Sequence, residues 1–183
     1  AGWIQSFKGL GVIGVSTEIS KVTFEKVELS TEQRIGISHG FNLQKDKNST
    51  LALGVTLNHF SWILGHSAGT AGDGSDGIPG GMSNSWGLDI GVIGSLRDKH
   101  RVGAMIKNAV SSTIGSGGTE QSLPKRLSAG VSYTPFKGLM TSFLFERALG
   151  EDIQIKGSIH FDVSPSIHLI AGVQSNPNRL GIG

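Results

Sequence analysis

Apolar and polar residues alternate along a series of short segments between Trp86 and the C-terminus. From Ile153 to Val163, the odd-numbered positions are apolar apart from one glycine, and the even-numbered positions are polar. The segment from Asn84 to Leu96 repeats this alternation. Successive side chains of a strand point to opposite faces, so each segment predicts a strand with one apolar and one polar face. Such strands are typical of an antiparallel, up-and-down, membrane-spanning β-barrel.

The same pattern predicts strands along the whole chain, each near the ~9 to 11 residues that cross a bilayer at a tilt. The predicted strands are 10–19, 21–30, 32–43, 50–63, 84–96, 101–110, 125–134, 138–149, 152–163 and 167–174. A further alternating segment begins at Arg179 and stops at Gly183, and no initiator methionine or signal sequence precedes Ala1. We therefore expect residues 1–183 to form a single β-barrel domain that is an incomplete part of a larger barrel.

The connections between the predicted strands alternate between short and long. Short polar turns are predicted at 44–49, 97–100, 135–137 and 164–166, whereas 64–83 and 111–124 are long and rich in glycine and serine. Outer-membrane barrels have short periplasmic turns and longer extracellular loops. We therefore predict that 64–83 and 111–124 are extracellular loops. Trp62 and Trp86, which flank the first of these loops, are expected in an aromatic girdle at the membrane interface.

Composition narrows the possible classes of protein. The chain has 183 residues, of which 37% are hydrophobic, with 28 glycines, no cysteine and a formal net charge of +2. The absence of cysteine excludes a disulfide framework and thiolate metal sites. Lysine and arginine are scattered and form no basic stripe, so we expect no nucleic-acid binding. No apolar run approaches the ~18 residues of a transmembrane helix.

Three stretches resemble a known family. Residues 84–92 (NSWGLDIGV), 122–133 (SLPKRLSAGVSY) and 171–177 (AGVQSNP) are similar to the C-terminal half of PorV/PorQ-type outer-membrane proteins, which belong to the FadL-like barrels. The resemblance is clearest from about residue 32 to the end. It implies an all-β outer-membrane barrel of about 14 strands in the intact protein. The chain departs from the family pattern because it lacks the early strands, the luminal plug and the closing strand.

The resemblance implies a bacterial outer-membrane protein in contact with the lipid bilayer. FadL-like members carry hydrophobic small molecules, and PorV-like members receive secreted cargo proteins during type IX secretion. The residues do not distinguish these two roles. A soluble, lipocalin-like ligand-binding β-protein is the structural alternative, because alternation alone does not show which face is turned inwards.

An outer-membrane hydrolase is a third alternative, and its best candidate residues are Ser158, His160 and Asp162, near His168 of the next strand. A serine, a histidine and a carboxylate can form a nucleophile, a base and an orienting group. However, residues i and i+2 of a strand lie roughly 6.5 to 7 Å apart with parallel side chains, which disfavours a hydrogen-bonded relay. Residues 65–69 (GHSAG) lack the strand-turn-helix setting of a nucleophile elbow. We therefore predict no catalytic site, and the protein is not expected to be an enzyme.

Metal and cofactor sites also have little support from sequence. Asp73 and Asp76 could offer oxygen ligands to a cation, but the spacing differs from that of an EF-hand loop. The histidines occur singly, without the spacing of a zinc site. The sequence therefore predicts neither a metal site nor a bound cofactor.

Overall fold

The structure of the chain, a computed structural model, describes residues 1–24, 27–65, 69–70, 72, 76–77, 80–110, 112–115 and 120–183. The described elements are strands: β1 (Gly2–Phe7), β2 (Gly11–Phe24), β3 (Val27–Lys45), β4 (Ser49–Leu64), β5 (Met82–Leu96), β6 (His100–Lys107), β7 (Thr113–Ile114), β8 (Gln121–Ser122), β9 (Arg126–Phe136), β10 (Leu139–Ala148), β11 (Gln154–Ser164), β12 (Ile167–Gln174) and β13 (Arg179–Ile182). Within these ranges, no helix is long and apolar enough to cross a membrane.

The strands form an 11-stranded sheet in which spatial neighbours follow one another along the chain. The order is β1-β2-β3-β4-β5-β6-β9-β10-β11-β12-β13, and β7 pairs with β8 in a separate two-stranded sheet. The registered pairs are antiparallel. The prediction of an all-β, antiparallel, up-and-down arrangement is confirmed. Over the described residues, β1 and β13 are the two ends of this order, and no pairing between them closes the sheet.

The chain divides into two compact units. The first unit comprises Ala1–His39, Thr56–Leu88 and Val110–Leu123. The second unit comprises Gly40–Val55, Asp89–Ala109 and Pro124–Gly183. The division passes through β3, β4 and β5, whose residues are shared between the units.

Tight turns connect the strands of the second unit. They occupy 46–48, 97–99, 137–138 and 165–166, each within or next to a turn predicted from sequence. In the turn after β9, Gly138 has a φ of 95°, a conformation that glycine adopts without steric cost. The connection between β4 and β5 runs from 65 to 81, and the connection between β6 and β9 runs from 108 to 125 and contains β7 and β8. Their extracellular position stays a prediction.

The N-terminal strands differ from the predicted ones. Strands were predicted at 10–19 and 21–30, but β2 continues without interruption from Gly11 to Phe24, and β1 precedes it. The prediction ended the first strand where the apolar positions change phase, between Ile19 and Val22. Backbone hydrogen bonds form irrespective of which face is apolar, so a change of phase does not end a strand. This part of the prediction is wrong.

Candidate functional site on the polar face of the sheet

In the second unit, the apolar face of the sheet is more exposed than the polar face, which is the reverse of the arrangement in a soluble protein. Along β9, Leu127, Val131 and Tyr133 are exposed, with Val131 at 51% of its full accessible area. The intervening Ser128 and Ser132 are partly enclosed. The same alternation occurs along β11, where Ile155, Ile159, Phe161 and Val163 are exposed. The apolar face is therefore the more accessible face, and the polar face is the more enclosed one.

In the first unit, the buried residues are small or polar. Among the described residues of this unit, every buried position is a glycine or carries a polar side chain: Gly14, Thr31, Gly36, Asn58, Ser61, Ser85, Gly87 and Ser112. Large apolar side chains of the same unit, such as Ile37 and Trp86, are exposed. Trp62, the other tryptophan beside the long loop, is only partly exposed, and its indole Nε1 is buried without a hydrogen-bond partner in the described part of the chain.

Gly36 shows how closely the polar face of the first unit is packed. A Cβ atom at this position would lie 2.8 Å from Oγ of Ser16 and 2.9 Å from Oδ1 of Asn58. Both distances are shorter than a carbon-oxygen contact allows, so glycine permits these two polar side chains to approach. Asn58 is only 3% exposed.

Hydroxyl groups form hydrogen bonds across the strands of each unit. In the first unit, the hydroxyls of Ser38 and Thr56 lie 2.9 Å apart. In the second unit, the hydroxyls of Ser142 and Ser158 lie 2.7 Å apart, and those of Thr50 and Ser95 lie 2.6 Å apart. Each pair gives its hydroxyl groups a hydrogen-bond partner on a partly enclosed surface.

A carboxylate between two cations lies on the polar face of the second unit. Glu146 of β10 accepts a hydrogen bond from Lys156 of β11 at 2.7 Å and pairs with Arg126 of β9 at 3.0 Å. The Glu146 side chain is 15% exposed, which makes it more enclosed than either cation. Lys107 of β6 lies opposite Arg126 in the strand register. Two cations from neighbouring strands therefore flank one enclosed carboxylate, and a third cation lies beside Arg126 on the next strand.

At the other end of β11, two histidines share one carboxylate oxygen. Nε2 of His160 lies 2.8 Å from Oδ1 of Asp162, and Nδ1 of His168 lies 2.6 Å from the same oxygen. The two imidazole rings meet nearly edge to face, with centroids 5.9 Å apart. The backbone amide of Asp162 donates to the carbonyl of Gly138 at 2.7 Å, which ties the cluster to the turn after β9.

A β-bulge determines that His168 faces Asp162. Next to the turn, Ser164 pairs with Ile167, and a regular ladder would then place His168 opposite Val163. Instead the register shifts, and Asp162 pairs with His168. The shift places the apolar residues of the two strands on the same face, since Phe161 pairs with Leu169 and Ile159 with Ala171. Matching the apolar faces thus brings His168 to the face of Asp162.

The hydrolase candidates do not form a relay. His160, Asp162 and His168 come together, but the hydroxyl of Ser158 pairs with Ser142, and the described residues show no hydrogen bond from Ser158 to His160. The candidate elbow at 65–69 and the cation candidate at 73–77 include residues 66–68 and 73–75, which lie outside the described residues. Sequence reasoning did not find a metal-ligating set because it counted histidine spacing along the chain. The expected proximity of His168 to His160 and Asp162 is confirmed, and the matched apolar faces of β11 and β12 account for it.

A groove of about 570 Å³ opens near the tight turns of the second unit. Its lining is mainly apolar and includes Val102, Val131 and Phe143 around Gly94. The rings of His100 and Tyr133, which also line it, stack at 4.7 Å. The groove therefore offers an apolar, accessible surface.

No protein-family model matches the chain, and no curated protein matches it. The chain is similar to the Pseudomonas putida toluene transporter TodX, with 12% sequence identity and a TM-score of 0.49. The match covers 89% of this chain and 63% of TodX. The chain thus spans less than two thirds of the length of that protein.

Proposed function

We propose that the chain forms part of the wall of a bacterial outer-membrane β-barrel, with its apolar face against lipid and its polar face towards the lumen. The observation that carries this proposal is the exposure pattern. The described sheet exposes its large apolar side chains and encloses its small polar ones. In water, extended apolar patches of this kind are unfavourable, whereas in a bilayer they are matched by the acyl chains.

The exposure pattern argues against the soluble, lipocalin-like alternative. A soluble barrel buries its apolar face in a core and leaves the polar face in water. In the described residues, the only buried hydrophobic side chain is that of Ala148. The connections add a second argument, since from β3 onwards turns of two or three residues alternate with longer connections, as is typical of outer-membrane barrels.

The polar face supports a conduit as the function of the intact barrel. Its side chains are mainly small and hydrophilic, and the enclosed charge of Glu146 is paired with Lys156 within the same face. We infer transport of a hydrophobic small molecule across the outer membrane, on the strength of the FadL-like stretches in the sequence. The PorV-like character of the same stretches makes reception of secreted cargo the second candidate.

Two neighbouring substitutions on β9 test the membrane assignment. Val131→Arg places a charge on the exposed apolar face, and Ser132→Arg is the matched control on the polar face. An arginine on the lipid face near the midplane costs about 2 to 4 kcal/mol. The folded fraction is measured by gel electrophoresis of unheated samples after insertion into phospholipid vesicles. We expect Val131→Arg to reduce this fraction and Ser132→Arg to leave it nearly unchanged.

Equal tolerance of both substitutions, together with recovery of the folded chain in a detergent-free soluble fraction, would contradict the membrane assignment. Transport is tested separately, by uptake of a hydrophobic fluorescent probe into cells that produce the full-length protein. Uptake that depends on the protein supports a transporter. Unchanged uptake together with specific retention of a secreted protein would favour the cargo-receiving role.

A further inference from the structure

The cluster formed by His160, Asp162 and His168 presents a set of converging donor atoms. One ligand atom from each side chain can be chosen such that all three lie within 4.8 Å of one another. Ligand bonds to zinc are about 2.0 to 2.2 Å for nitrogen and oxygen, so donors around one ion lie roughly 3 to 4 Å apart. Small side-chain rotations are therefore sufficient to place the three atoms around a common ion.

The types of donor atom restrict the class of ion. Two of the three donors are imidazole nitrogens, which suit zinc, copper and nickel, whereas calcium and magnesium require oxygen ligands almost exclusively. The third donor is a carboxylate, which supplies one negative charge towards a divalent ion. The chain has no cysteine that could compete as a softer ligand.

The cluster is both accessible and held in place. The side chains of His160, Asp162 and His168 are 37%, 44% and 50% exposed, so an ion can enter and water can occupy the remaining coordination positions. The main chain of Asp162 is fixed by its hydrogen bond to Gly138, and the β-bulge fixes the face of His168. Ligands on paired strands are more precisely positioned than ligands on a loop.

We propose that His160 Nε2, His168 Nδ1 and the Asp162 carboxylate bind one divalent transition-metal ion of the zinc and copper class. On binding, each neutral imidazole holds its proton on the ring nitrogen that faces away from the ion, Nδ1 of His160 and Nε2 of His168, and any second proton is released to water. The unprotonated nitrogen of each ring binds the ion, which takes the place of the hydrogen bonds to Asp162. This site requires the β11–β12 hairpin and does not depend on what the barrel transports.

Metal titration of the folded chain in detergent tests the site. Zn²⁺ affinity is measured by competition with a chromophoric chelator, and Cu²⁺ is used as a spectroscopic probe of nitrogen ligands by electron paramagnetic resonance. We expect one ion per chain and superhyperfine structure from two imidazoles. His160→Gln and His168→Gln should each weaken Zn²⁺ binding by at least about tenfold, since even loss of a partner behind a ligand commonly costs 10- to 100-fold.

His100→Gln is the matched control, because His100 is an exposed histidine of the same unit that stacks on Tyr133 and lies outside the cluster. It should leave the affinity and the two-nitrogen signal unchanged. Asp162→Asn, which preserves shape, should weaken binding while the fraction of folded chain stays constant. The proposal is overturned if the unmodified chain shows no saturable binding of either ion, or if His168→Gln binds as tightly as the unmodified chain.

Discussion

The polar faces of the two units differ in which residues they enclose. In the first unit, glycines and small polar side chains are buried against one another, as at Gly36 and Asn58. In the second unit, charged groups on separate strands are paired across a more accessible surface, as in the row formed by Arg126, Glu146 and Lys156. We therefore expect the polar face of the first unit to be most sensitive to added volume, and that of the second unit to be most sensitive to loss of charge. Substitutions that change one property at a time can separate these two sensitivities.

The largest effect is expected from added volume in the first unit. Gly36→Ala places a methyl group 2.8 Å from Ser16 Oγ and 2.9 Å from Asn58 Oδ1. Asn58 is buried and has little space in which to move, so we expect a loss of about 1 to 3 kcal/mol of unfolding free energy. Urea unfolding in lipid vesicles, followed by tryptophan fluorescence, measures this loss.

Gly172→Ala is the control for this prediction in the second unit. Its Cβ would lie 3.5 Å from the carbonyl oxygen of Gly157 and 3.9 Å from Cβ of Ser158, which are ordinary contacts. The substitution should be neutral or stabilise the fold by about 0.4 to 1 kcal/mol, because alanine restricts the unfolded chain. Equal destabilisation by Gly36→Ala and Gly172→Ala would contradict the proposed difference in packing between the two units.

An intermediate effect is expected from removal of charge in the second unit. Glu146→Gln preserves shape but leaves Arg126 and Lys156 without their shared carboxylate, next to Lys107. Because Glu146 is mostly enclosed, we expect a loss of about 1 to 2 kcal/mol, between the values for surface and fully buried pairs. Unfolding measured at low and high salt should show a smaller difference from the unmodified chain at high salt.

Glu18→Gln is the corresponding charge variant in the first unit. Glu18 pairs with Arg34 at 2.8 Å, but its side chain is 67% exposed. Removal of this charge should change stability by less than about 1 kcal/mol. If Glu18→Gln proves as damaging as Glu146→Gln, enclosure of the carboxylate does not determine the effect.

The smallest effect is expected at the hydroxyl pairs, which occur in both units. Ser142→Ala and Ser158→Ala should each cost roughly 0.5 to 1.5 kcal/mol, and the double variant should cost less than their sum. A matched cycle with Ser38→Ala and Thr56→Val in the first unit measures the same coupling where the surroundings are more tightly packed. A coupling energy near zero in both units would show that water replaces each hydroxyl without loss.

The sequence predicted the strands of the sheet well where the apolar residues stay on the same alternate positions of a segment. From Asn84 onwards, alternation and turn residues located the strands of the 11-stranded sheet to within a few residues, because one face of these strands is mainly apolar, whereas the short β7 and β8 were missed. In the N-terminal part the apolar positions change phase, and β1 and the continuity of β2 were missed. Alternation alone left the soluble alternative open, since the exposure of each face depends on how the strands are arranged.

The polar clusters depend on register, which alternation does not determine completely. Ser158, His160 and Asp162 were placed on one face from their spacing, and the structure agrees. The partner of Ser158 is Ser142 of β10, a residue that only the pairing of β10 with β11 identifies. The contact between Glu146 and Lys156 has the same origin, because their separation along the chain carries no signal of its own.

The β-bulge next to the β11–β12 turn gives this hairpin one residue more than a regular ladder needs. Val163 is the extra residue between the pair formed by Ser164 and Ile167 and the pair formed by Asp162 and His168. Deletion of Val163 would therefore produce a regular hairpin in which both pairs persist. The length of the hairpin can change by one residue during evolution while the wall keeps its register.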